Sequence, residues 1–107
     1  MKIWIDDIRP APDGYDVWFK TVNETVKFVS DLAKKYEFES DFIDAIELID
    51  LDHDAGVYYR YGGDYINILN FFEREKIRLP IRIHSMNVVG RLNMLAICER
   101  NGWVVVL

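Results

Sequence analysis

Short apolar runs that each stop at a cluster of polar residues constrain this fold more than any other feature of the sequence. KIWID (2–6), AIELIDL (45–51), PIRIH (80–84) and WVVVL (103–107) are rich in β-branched or aromatic residues and end at polar or turn residues, which is the pattern of strands. Residues 15–20, YDVWFK, alternate less cleanly and supply a fifth. Helical patterns lie between the last four. The first begins near Thr21, where Thr21 and Glu24 have capping-box spacing and Val22, Val26, Val29 and Ala33 recur at helical intervals, and it ends near Tyr36. A second runs from about Asp64 to Lys76, after Gly62 and Gly63, with Ile66, Leu69 and Phe72 inward; a third runs from Val89 to Asn101 and stops at Gly102. The acidic stretch EFESDF (37–42) has no clear period and reads as a loop. The order is β-β-α-β-α-β-α-β. Strands separated by helices pair in parallel through right-handed crossovers, and an apolar last strand implies cover on both faces, so the expected class is a doubly wound α/β sheet. With 107 residues there is room for one core, hence a single domain over 1–107.

Composition narrows the function classes. Half of the residues are hydrophobic and 29% are charged, too apolar for a disordered chain and too interrupted by charge for a membrane protein. No run approaches the roughly 18 apolar residues of a membrane span, and MKIWIDD passes straight into acidic residues rather than a signal-peptide core, so a cytoplasmic protein is expected. A net charge of -5 argues against a broad phosphate-backbone interface, leaving a small, locally held phosphorylated ligand as the expected partner. The single cysteine, Cys98, lies in the apolar stretch MLAICE and reads as a buried thiol. Trp4, Trp18 and Trp103 fall in strand patterns and read as core.

In open parallel sheets the ligand crevice lies beyond the carboxyl ends of the strands. There this chain gathers Asp6, Asp7 and Arg9 after the first strand, Asp52, His53 and Asp54 after the third, and His84, Ser85 and Asn87 after the fourth. Brought together, Asp6, Asp7, Asp52 and Asp54 would repel unless a cation or protons offset them, and their hard oxygens suit Mg²⁺ or Ca²⁺. Alternatively, single aspartates cap turns or pair with Arg9. In HSMNVVGR, Ser85, Asn87 and Gly90 sit at the start of the third helix, where free N–H groups favour an anion and Arg91 adds a forked donor. Read structurally, Ser85 or Asn87 only caps the helix. His53 and His84, the only histidines, could serve one phosphate as general base and general acid, or could instead bind the phosphate or orient carboxylates. A metal-free acid/base pair and a carboxylate-bound metal are different mechanisms, and both stay open. The tyrosines of VYYRYGG (57–63), with Arg60, read as a partly buried loop in preference to a base-stacking lid.

The combination WIDDIRPAP, LDHD and IHSMNVVGR resembles the cyclic-phosphate processing receiver-like domain, a divergent relative of response-regulator receivers, over nearly the whole chain. The resemblance implies a receiver-like, mainly parallel five-stranded sheet of order 2-1-3-4-5 with about three helices. Asp6 and Asp7 match the acidic pair that binds metal in ordinary receivers, and Asp52 or Asp54 falls where the phospho-accepting aspartate would be. Ser85 matches the small hydroxyl residue after the fourth strand, and His53 and His84 mark the divergent group. The chain departs from ordinary receivers in having the loop IRPAPDG instead of a helix after the first strand and no lysine after the last, so phospho-relay signalling is not expected. It departs from the divergent group at Val88 and Ala55, where proline and leucine are the family's residues. The leading expectation is a phosphoesterase, a hydrolase acting on a 2′,3′-cyclic phosphate end or a cyclic nucleotide. His53 and His84 are then the acid/base candidates with Asp52 and Asp54 beside them, Arg9, Ser85, Asn87 and Arg91 hold the phosphate, and Asp6, Asp7 and Asp52 hold a metal if there is one. A non-catalytic nucleotide-binding module and a receiver-like interaction domain are the competing classes.

Overall fold

The computed structural model describes residues 1–107. Strands β1 (Lys2–Ile5), β2 (Val17–Phe19), β3 (Leu48–Leu51) and β4 (Ile81–Ile83) form one parallel sheet in the order β2-β1-β3-β4. Helices α1 (Val22–Lys35), α2 (Glu39–Ala45), α3 (Ile66–Glu75) and α4 (Val88–Asn101) connect them, with a 3₁₀ helix over Gly56–Tyr61. The capping box at Thr21 and Glu24 is present in both directions, and α4 stops at Gly102, whose φ of 65° is cheap only for glycine. No helix is long and apolar enough to cross a membrane.

Two expectations about elements are corrected. Residues 39–42, read as part of a loop, and Ala45, read as the start of a strand, belong to α2; a seven-residue helix is too short to display a period, and its sequence marks are Glu39 and Asp41 in the first turn and the buried Phe42. WVVVL is not a fifth strand: only Val105 pairs, in an isolated bridge to Ile81. Trp103 is buried, but Val104 and Leu107 are exposed, so this apolar run is not covered on both faces. The sheet therefore has four strands and the chain four α-helices.

A third correction concerns layering. On β1, β3 and β4 the residues Ile3, Ile5, Ile49, Leu51, Ile81 and Ile83 share one face, and all of them join one core with residues of α1, α2, α3 and α4. Trp4 and Leu48, buried on the opposite face, lie outside that core. The helices thus cover a single face, and the sheet is not doubly wound. Handedness explains this: β2→β3 and β3→β4 step across the sheet in the same direction, so right-handed crossovers put their helices on the same side. Only the β1→β2 connection steps the other way, and it is a loop without a helix. That loop lies over the open face, where the Trp4 indole donates to the Arg9 carbonyl (2.8 Å) and the Tyr15 hydroxyl bonds Asp50. Of the three tryptophans, Trp4 and Trp103 are buried as expected, while Trp18 on the open face is exposed.

Candidate functional site

All three polar clusters meet at the carboxyl edge of the sheet. Trp4, Asp50 and Arg82 stand in register across β1, β3 and β4 on the open face. One step further along the same strands come Asp6, Asp52 and His84, whose ligand atoms lie within 4.8 Å of one another. Side chains alternate along strands, so a register that places Trp4 beside Asp50 also brings these next-but-one residues to the same side.

His84 is clamped there. Its Nδ1 lies 2.7 Å from Asp50 Oδ1 and its Nε2 2.9 Å from Asp6 Oδ2. A carboxylate accepts a hydrogen bond only from a ring N–H, so both bonds coexist in the imidazolium form. The ring is stacked on Trp4 at 3.8 Å and 3°, an arrangement that favours a cation over an indole face. Asp50 also binds Tyr15, whose hydroxyl is pushed up to about 12 by burial and by that carboxylate, and lies 3.9 Å from Arg82 Nε. Asp50 sits inside an apolar strand run rather than after it, and the sequence reading did not single it out. The visible signal was one carboxylate in the apolar run LIDL.

Asp6 is saturated. Oδ1 accepts from the backbone N–H groups of Ile8 and Arg9, both at 2.9 Å, and Oδ2 meets His84 and Arg9 Nε (3.2 Å). Burial opposes ionisation, yet those two N–H groups, His84 and the Arg9 charge together hold the carboxyl below its ordinary value. Arg9 also reaches Asp52 Oδ2 at 3.3 Å, while Asp52 Oδ1 accepts from the His53 N–H at 2.8 Å. Asp7 points elsewhere, toward Gly56, where a Cβ would collide with its carboxylate. Burial and the charges of Asp6 and Asp52 raise its carboxyl above the ordinary value. As arranged, Asp6, Asp7 and Asp52 do not fit a divalent ion, because the Asp6 lone pairs are committed to donors and the Arg9 guanidinium bridges Asp6 and Asp52.

His53 faces the helical side. Its ring lies against Gly90 in the first turn of α4, where a Cβ would come within 2.5 Å of the ring carbons. Nδ1 is 2.9 Å from Asp54 Oδ1, and Nε2 has no partner in the protein. Asn87 is the N-cap of α4: Oδ1 accepts from the Gly90 N–H at 2.9 Å, and Nδ2 donates to Asp54 at 3.3 Å. Asp64, also not singled out in the sequence, completes a group with His53 and Asp54 and accepts the Ala55 N–H.

Asp6, Arg9, Asp52 and His84 thus form one hydrogen-bonded group and His53, Asp54 and Asn87 another, and the two histidines share no side-chain partner. Ser85 is buried and its Oγ accepts the Asn87 N–H at 3.0 Å, shaping the turn into α4. Arg91 is exposed and its side chain makes no hydrogen bond; it borders a cleft with Arg82, His84 and Val105. In the 3₁₀ segment Tyr59 and Tyr61 are exposed and Tyr58 is half-buried, more open than the partly buried loop expected.

A family model described as cyclic-phosphate processing receiver domain matches residues 1–100. No curated protein and no solved structure gives a significant match.

Proposed function

Because this chain belongs to the cyclic-phosphate processing receiver family, we propose that it is a phosphoesterase that opens a cyclic phosphodiester at the carboxyl edge of its sheet, with His53 as the proton-transfer group. One observation carries this reading: the His53 ring is fixed at Nδ1 by Asp54 and leaves Nε2 without a protein partner. With Nδ1 donating to Asp54, the free lone pair lies at Nε2, the requirement for a general base. Nε2 takes a proton from a water that attacks phosphorus; the bond to one ring oxygen breaks, and the same nitrogen returns the proton to that oxygen, giving a phosphomonoester.

The rest of the edge binds. The first N–H groups of α4, at Val88 and Val89, have no intrahelical acceptor and suit a phosphate oxygen, and the outer edge of the Arg9 guanidinium is open to solvent. His84, with both nitrogens engaged, holds Asp6 and through it Arg9 in place rather than shuttling protons. A second reading, a module that binds a cyclic nucleotide without turnover, is favoured by the same occupancy of His84, which leaves only one histidine for proton transfer. Incubation with 2′,3′-cyclic mononucleotides and cyclic dinucleotides, followed by chromatography, separates the two. A monoester product formed by the wild type and lost in His53→Ala supports the phosphoesterase; unaltered ligand recovered in stoichiometric complex supports the binding module.

A further inference from the structure

We infer that Arg9 is a tethered counter-cation standing where a divalent ion would otherwise gather the carboxylates, so that the edge carries its charge balance within the chain and does not bind Mg²⁺ or Ca²⁺. The argument begins with the backbone. Arg9 is fixed at both of its peptide groups, its N–H donating to Asp6 Oδ1 at 2.9 Å and its carbonyl accepting the Trp4 indole N–H at 2.8 Å. These bonds turn the DDIRP segment back over the strand end and leave the side chain little choice of direction. Its Nε then lies 3.2 Å from Asp6 Oδ2 and one Nη 3.3 Å from Asp52 Oδ2, a bridge between carboxylates from two strands.

A small divalent ion would need those same two oxygens at roughly 2.0–2.6 Å. It would have to displace the guanidinium and take Asp6 Oδ2 from His84, and it would meet the Arg9 positive charge already in place. The fork is about half exposed, so its outer N–H groups stay available to a phosphate while its inner ones hold the carboxylates. Arg9 in this role both binds ligand anions and replaces a metal, which a lysine, with one point charge and no fork, could not do at two carboxylates.

The test needs no phosphate ester, so its failure is distinguishable from failure of the phosphoesterase reading. Thermal melting and titration calorimetry are run on wild type, Arg9→Gln and Arg9→Lys with MgCl₂ or CaCl₂, against NaCl at matched ionic strength. The wild type is expected to show no ion-specific shift and no saturable heat. Arg9→Gln is expected to melt several degrees lower and to recover with Mg²⁺ or Ca²⁺ but not with Na⁺, because freed carboxylates gain a cation's binding energy as stability. Should Arg9→Gln fail to fold, Arg9→Lys provides the second arm, with a lowered melting point and partial recovery by the divalent ion. Saturable Mg²⁺ or Ca²⁺ binding by the wild type would overturn the inference, as would an Arg9 variant that folds and gains nothing from either ion.

Discussion

Both histidines follow strands, but His84 is one residue past β4 and His53 two residues past β3, so they fall on opposite sides of the sheet and their surroundings differ in almost every respect. His84 turns to the open face, lies flat on Trp4 and gives both nitrogens to buried carboxylates. His53 turns to the helical side, rests on the bare backbone of Gly90 and keeps one nitrogen free. The same side chain is therefore held between two carboxylates in one place and, in the proposed function, transfers a proton in the other. Position after a strand makes a polar residue available; what lies above and below the strand end decides its use.

The largest expected effect comes from removing the clamp. His84→Ala leaves Asp6 and Asp50, each with a side chain 1% exposed, as buried charges without their shared partner, a loss of about 3–5 kcal/mol in chemical denaturation. A loss under about 1 kcal/mol would mean that His84 is not the cation binding the strands together. Gly90→Ala sharpens the contrast from the other side. Alanine is a better helix former than glycine, so α4 should not weaken, but the new Cβ pushes the His53 ring from its seat. Turnover should fall about 10- to 100-fold with the melting point nearly unchanged, measured by steady-state hydrolysis alongside calorimetry. Asn87→Ala removes the N-cap of α4 and the amide that steadies Asp54, costing about 1 kcal/mol in thermal unfolding.

The smallest effect carries a pH signature. Asp7 has a raised carboxyl in the folded chain, so the native state holds its proton more tightly than the unfolded state does. Stability then falls as pH rises from the ordinary carboxylate range through the raised value, and the penalty is complete above it. Asp7→Asn should raise the melting point slightly at neutral pH and leave it unchanged in acid; a gain that persisted in acid would assign the effect to something other than charge.

Much of the fold could be read from the sequence because its signals are local. The capping box at Thr21, the stop at Gly102 and the β-branched runs each act within a few residues, and the family resemblance implied the order of the four strands that form. What was missed depends on distance. The run WVVVL has strand propensity, but β propensity reflects packing surroundings, and here only Val105 finds a neighbour. The one-faced layering was implied by the loop IRPAPDG replacing a helix, given the handedness of crossovers, although apolar content alone suggested two covered faces. At the site, the residues after the strands were legible, while Asp50, Tyr15 and the Trp4 stack were not. Their role comes from the register of three strands, which sets Asp50 beside Trp4 and beneath His84.

The difference between the histidines is tested most directly by a long-range ¹H–¹⁵N spectrum of the imidazole rings at neutral pH. The account predicts two hydrogen-bonded ring N–H groups for His84 and a single one, at Nδ1, for His53 with a bare Nε2. A neutral His84 ring with one unprotonated nitrogen would contradict it.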